Sequence, residues 1–84
     1  MDVLFLEDAW DDYLYWVQMD KQISNKINAL IREIQRTPFT GTGKPEPLKF
    51  NMAGCWSRRI NLEHRLVYKI DGKHLIIMQC RYHY

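Results

Sequence analysis

Apolar positions along this chain change their spacing several times, and each spacing predicts a different element. Val3 to Leu6 is a continuous apolar run too short for a helix and reads as a first strand. From Ala9 to about Met19, the residues Trp10, Tyr13, Leu14, Trp16 and Val17 recur at steps of three and four, the period of one helix face. Asp8 is placed to cap that helix, and Trp10, Tyr13 and Trp16 read as core. Asp20 can cap a second helix from Lys21 to about Arg36, with Ile23, Ile27, Leu30, Ile31 and Ile34 as its apolar stripe. Arg32 and Arg36 suit the C-terminal end of its dipole, and Pro38 ends it. The two helices should form a hairpin packed on a sheet.

Thr37 to Lys49 holds all three prolines, two of the four glycines and little apolar content, and predicts a loop of about twelve residues. Loops of that length in a compact domain are usually functional or disordered, and the prolines argue against disorder. Pro45 and Pro47 bracket Glu46 and should keep its backbone extended, lowering the entropy cost of presenting that carboxylate. Three strands are expected next: Cys55 to Asn61, Arg65 to Ile70 and His74 to Tyr82, the last two joined through Asp71-Gly72. A two-residue turn at Asp71-Gly72 would set Arg65 opposite Met78, with His83 on the other face. A three-residue loop would set Arg65 opposite Ile77, on the face of Gln79, Arg81 and His83, and a catalytic reading favours this second register. Repeats, linkers and low-complexity segments are not evident, so residues 1–84 read as one domain.

With 46% hydrophobic residues among 84, the chain can build one core, of modest stability unless a second copy or a partner adds to it. The longest apolar runs fall far short of the roughly 18 residues of a membrane span, and the acidic N-terminus lacks the basic start of a secretory signal. A soluble, cytoplasmic protein is expected. Cys55 and Cys80 have neither CxxC spacing nor paired histidines, and read as reduced, buried thiols. The net charge of +2 hides a division: residues 1–20 carry six acids and no Lys or Arg, whereas the remainder carries twelve bases against four acids. That remainder has the footprint of a phosphate-binding surface, a solvated basic face being the plainer reading.

The closing residues Arg81-Tyr82-His83-Tyr84 place an imidazole between two aromatics. Together with Glu46 and the cations Lys49, Arg58, Arg59 and Arg65, it completes the parts of a metal-free ribonuclease. RNA carries its own nucleophile, so a base near the 2′-hydroxyl, a cation at the non-bridging oxygens and an acid at the departing 5′-oxygen suffice. No metal or cofactor is needed. Of Arg58 and Arg59, which alternate along one strand, only one should face such a site; Arg59 is the choice, leaving Arg58 as a surface or ribosomal contact. Tyr82 reads as core, and His64 and His74, at strand ends, receive no role.

The stretches Trp10-Asp11-Asp12-Tyr13, Arg36-Thr37-Pro38-Phe39, Gly43-Lys44-Pro45-Glu46-Pro47-Leu48-Lys49, Trp56-Ser57-Arg58-Arg59-Ile60, Glu63-His64-Arg65-Leu66-Val67-Tyr68 and Cys80-Arg81-Tyr82-His83-Tyr84 run through nearly the whole chain. In this order and spacing the chain resembles YoeB-type toxins of the RelE superfamily, from bacterial type II toxin–antitoxin pairs. The resemblance implies a RelE-like α+β fold, with an N-terminal strand and a two-helix hairpin packed on a twisted, mainly antiparallel sheet. It implies an endoribonuclease that cleaves messenger RNA in the ribosomal A site, a homodimer, and silencing by a cognate YefM-like antitoxin. It also implies roles: Glu46 as general base, Arg65 and Lys49 at the scissile phosphate, Arg59 as further phosphate support, His83 as general acid, and Tyr84 beside it. The alternatives are a non-enzymatic toxin of the ParE type, acting on gyrase through contacts alone, and a simple RNA-binding module. Neither needs a carboxylate and an imidazole together.

Overall fold

The computed structural model describes residues 1–82. Strand β1 (Asp2–Phe5) leads into helix α1 (Glu7–Met19), helix α2 (Lys21–Arg36), the two-residue strand β2 (Glu46–Pro47), a short 3-10 turn (Phe50–Met52), and strands β3 (Trp56–Arg59), β4 (Arg65–Asp71) and β5 (His74–Gln79). The strands form one sheet in the order β1-β5-β4-β3-β2. β1 runs parallel to β5, and the other neighbours are antiparallel. No helix among the described residues is long and apolar enough to cross a membrane.

Both helices pack on one face of this sheet. Ile27, Leu30, Ile31 and Ile34 of α2, Ala9 and Trp16 of α1, and Leu66, Tyr68, Leu75 and Ile77 of the central strands make the core. Each fully buried Leu or Ile contributes roughly 1.5–3 kcal/mol relative to exposure. The spacing of Leu66 and Tyr68 against Leu75 and Ile77 also resists slippage, since a shift by one residue would turn all four side chains away from the helices. α2 follows its sequence pattern closely. Asp20 caps it, its carboxylate accepting from the amides of Gln22 at 3.1 Å and Ile23 at 3.4 Å.

α1 departs from expectation. It begins at Glu7, and its cap position is Leu6, which has no side-chain acceptor. The Leu6 amide donates to the Ile77 carbonyl at 3.0 Å, so the parallel ladder runs directly into the helix and leaves Asp8 in the first turn. There its charge suits the helix dipole instead of capping. The buried face of α1 is also narrower than the periodicity suggested: Trp16 is buried and Tyr13 half-buried, whereas Trp10, Leu14 and Val17 are exposed.

The β4–β5 hairpin corrects both expected registers. Asp71 pairs with His74, so Gly72-Lys73 form the tip, with Gly72 at φ +59°, where a side chain would be strained. A bulge then lets Met78 slip out of the ladder, and Val67 faces Gln79. Arg65 therefore lies opposite neither Met78 nor Ile77, and its amide bonds the Tyr82 carbonyl at 3.0 Å. Both differences, a turn moved by one residue and one extra residue in β5, are invisible to side-chain alternation alone.

Candidate functional site

Antiparallel pairing brings the charged residues together. Glu46 pairs with Ser57, Ser57 with Val67, and Val67 with Gln79, a single row across β2, β3, β4 and β5. Arg59 pairs with Arg65 two positions along. Directly paired residues share a face, so Glu46, Arg59 and Arg65 all project from the side opposite the helices, above a floor of buried Ser57 and Val67. Glu46 stands diagonal to Arg59, a spacing of roughly 7–8 Å. The backbone at Glu46 is extended as its flanking prolines suggested, but it lies in a strand within the expected loop, and Pro47, which has no amide hydrogen, is tolerated because β2 is the sheet edge.

Arg59 and Arg65 are like charges directly across a ladder, an arrangement that costs stability unless an anion answers it. The Arg65 guanidinium is oriented from one side only. Its Nη1 donates to the carbonyls of Asn61 at 2.8 Å, His64 at 3.1 Å and Leu62 at 3.3 Å. Its Nε and Nη2 groups make no hydrogen bond among the described residues, so one two-donor edge is left for a phosphate. Glu46 has a loose partner in Lys44, 3.6 Å away and largely solvated. Lys49 is exposed just beyond β2, on the order of 10 Å from Glu46 along the strand direction. It is not drawn into the Arg59–Arg65 pair. His83 and Tyr84 lie outside the described residues.

Arg58 is no surface contact. It points to the helix side, fully buried, and its guanidinium ties down the segment that precedes Glu46. Nη1 pairs with Glu33 and donates to the Thr42 carbonyl at 3.2 Å; Nη2 donates to the carbonyls of Thr37 at 2.7 Å and Thr40 at 2.8 Å; Nε donates to the Tyr68 hydroxyl at 3.2 Å. That hydroxyl donates in turn to the Pro38 carbonyl at 2.6 Å. Burial pushes the Tyr68 phenol up, which keeps this donor protonated. Gly41 sits where the loop crosses Glu33 at φ +121°, and a Cβ there would lie 2.1 Å from the carboxylate, so only glycine fits. The Gly43 carbonyl accepts from the Arg59 amide at 2.6 Å, joining the loop to the strand that bears the exposed arginine.

The Thr42 amide, first, and then the Thr42 hydroxyl and Arg58 hold the Glu33 carboxyl below its ordinary value of 4.5, against an opposing effect of burial. The unfolded chain therefore binds more protons than the folded one as the solution acidifies. Glu33's contribution to stability is complete above the ordinary value and is lost as pH falls through the depressed one. Thermal midpoints followed from neutral to acidic pH should fall less in Glu33→Gln than in the parent chain. Parallel curves would show that Glu33 adds no pH-linked stability.

Tyr82, expected in the core, is 56% exposed, and His64, which received no role, is buried. Cys55 and Cys80 are buried free thiols, and burial, followed by the nearby Asp12 charge, pushes Cys80 up to about 12, outside the reactive range. No group of three or more His, Cys, Asp and Glu among the described residues could hold a metal ion.

Residues 5–84 match the YoeB-like toxin family of bacterial type II toxin–antitoxin systems. Toxin YoeB of Escherichia coli K12 is 58% identical over 84 residues, covering all of both chains. A YoeB dimer from Staphylococcus aureus superposes with a TM-score of 0.94 at 48% identity, over 100% of this chain and 98% of that one. A YoeB–YefM complex from the same organism gives 0.93 at 47% identity with the same coverage. The two helices on a mixed five-stranded sheet are thus the fold of these relatives, and the chain belongs to the YoeB-like toxins of bacterial type II toxin–antitoxin systems.

Proposed function

We propose that this toxin is a ribosome-dependent endoribonuclease that cleaves messenger RNA in the A site and so blocks translation. The observation that carries the reading is the shared face of Glu46, Arg59 and Arg65: one carboxylate beside two cations that make no ion pair among the described residues. Glu46 takes the proton of the 2′-hydroxyl as its oxygen attacks the adjacent phosphorus. The two-donor edge of Arg65 donates to the two non-bridging oxygens as charge grows on the pentacoordinate phosphorane, with Arg59 as the second cation. Lys49 holds a neighbouring phosphate as a point charge. His83 protonates the departing 5′-oxygen, and Tyr84 stacks on a base or bonds a phosphate beside it. A 2′,3′-cyclic phosphate and a 5′-hydroxyl result, and no cofactor takes part.

The partners follow from the same surface and the family. The message presented by the ribosome meets the basic face, and a cognate YefM-like antitoxin silences the toxin, as a YefM antitoxin accompanies the Staphylococcus aureus relative. A homodimer in the cytoplasm is the working form, consistent with the exposed Leu4, Trp10, Leu14 and Val17.

Arg65→Lys tests the phosphate fork. Lysine keeps the charge and loses the second donor, worth about one charge-assisted hydrogen bond, so cleavage should slow at least tenfold while the fold persists with a modestly lower melting temperature, since the Nη1 bonds to the loop carbonyls are weakened. An unchanged rate would remove Arg65 from the phosphate. A supercoiling assay with purified gyrase, run on the parent protein, should show no inhibition; inhibition would favour a toxin that acts by contact alone.

A further inference from the structure

The chain leaves the β5 ladder after Gln79, yet its backbone is held again at Tyr82. The Tyr82 amide donates to Nδ1 of His64 at 2.7 Å, and the Tyr82 carbonyl accepts from the amide of the next residue in β4, Arg65, at 3.0 Å. His64 and Arg65, adjacent in sequence, thus grip both backbone polar groups of one residue. Tyr82 needs the grip. Its φ is +65°, a left-handed conformation that costs a non-glycine residue about 1–3 kcal/mol and persists only where its surroundings over-determine it.

The imidazole is fixed from its other sides. It is 6% exposed and meets the edge of Trp16 with ring centroids 4.7 Å apart. Trp16 is itself held by a 2.8 Å bond from its indole Nε1 to the Cys80 carbonyl, so ring and tail lock each other. The Arg81 guanidinium, 3.5 Å over the Tyr15 ring and 4.7 Å from that of Tyr82, closes the same cluster. Because Nδ1 accepts a hydrogen bond, the neutral ring carries its proton on Nε2, 3.4 Å from a Glu63 carboxylate oxygen. In place of a lost ladder partner, a side chain supplies the acceptor.

We infer that His64 is a positioning residue: its Nδ1 latches the Tyr82 amide and thereby fixes where the chain enters His83. The catalytic half of this inference rests on the proposed role of His83 as acid; the latch itself does not. His64 touches no substrate. It acts through one backbone amide, and a displacement of an ångström at an acid is worth about 100-fold in rate.

Two variants and one spectrum test it. His64→Phe keeps an aromatic ring against Trp16 and removes the acceptor, whereas His64→Asn offers an oxygen near the position of Nδ1. In the parent protein, the nitrogen spectrum of the His64 ring should show Nδ1 unprotonated, and the Tyr82 amide should exchange slowly with solvent. His64→Phe should free that amide and lower kcat for ribosome-dependent cleavage about 10–100-fold with little change in KM. His64→Asn should restore much of both. A protonated Nδ1 in the neutral ring, a Tyr82 amide still protected in His64→Phe, or equal impairment of the two variants would overturn the inference. Should His64→Phe fail to fold, the parent's ring tautomer and Tyr82 exchange decide alone. Should the parent cleave no RNA at all, the nuclease reading fails while the exchange data still judge the latch.

Discussion

Glu46→Gln should abolish nearly all cleavage, a loss of about 10²–10⁴ in rate, while the protein keeps its fold. Glutamine has the shape of the glutamate and cannot take a proton from the 2′-hydroxyl. Little stability is at stake, because the only ion pair of Glu46 among the described residues is the 3.6 Å contact with Lys44, and both side chains are substantially solvated. Single-turnover cleavage, thermal melting and antitoxin affinity measured together separate the outcomes. Lost cleavage with normal melting and affinity is the expected pattern. Unchanged cleavage would exclude Glu46 as base, and a parallel loss of melting temperature would make it a structural carboxylate of the β2 edge. His83→Ala should lose rate by a similar factor, and the double variant should lose little more than the worse single one, since base and acid act in one concerted step.

Arg58→Met should be the most destabilising single change away from the apolar core. Methionine fills much of the volume but takes one donor each from the Tyr68 hydroxyl and the carbonyls of Thr37, Thr40 and Thr42, and leaves the Glu33 carboxylate without its countercharge. Breaking a buried ion pair from one side costs about 3–5 kcal/mol. The Glu33 side chain keeps 22% of its exposure, so water can take over part of its solvation and the lower end is expected. A loss of about 3 kcal/mol lowers the melting temperature of a domain this size by about 12–24 °C. Adding Glu33→Gln to Arg58→Met should recover part of the loss, because the stranded charge is gone. A cost under about 1 kcal/mol for Arg58→Met would contradict the hub geometry. Below its melting temperature the variant should also cleave poorly, since the segment that Arg58 holds leads directly into Lys44 and Glu46.

What could be read from residues alone divides along physical lines. α2 was legible to its ends because isoleucines and leucines at helical spacing, an aspartate cap and a following Pro38 all agree. β2 was not, since two residues, one of them a proline, carry no periodicity, and only the sheet edge makes them a strand. The β5 bulge escaped for a related reason: alternation tells which residues share a face only while the ladder is regular, and Met78 interrupts it. Glu46 and Arg59 were singled out by residue type, but their common face with Arg65 depends on pairings between three strands.

Arg58 was misread because charge was taken to mean solvent. The alternation that turns Arg59 outward turns Arg58 inward with Trp56 and Ile60, and Glu33, three residues after Leu30 on the helix, was the acid available to meet it. His64 gave less warning. Its partner is a backbone amide eighteen residues away, and no side-chain pattern records that.

RNA 5′ ends should be mapped after purified protein is added to a defined ribosome–messenger complex, and in parallel to the same message without ribosomes. New ends confined to the A-site codon of the ribosomal sample are the predicted result; no new ends in either sample would contradict the assignment of this toxin as a ribosome-dependent nuclease.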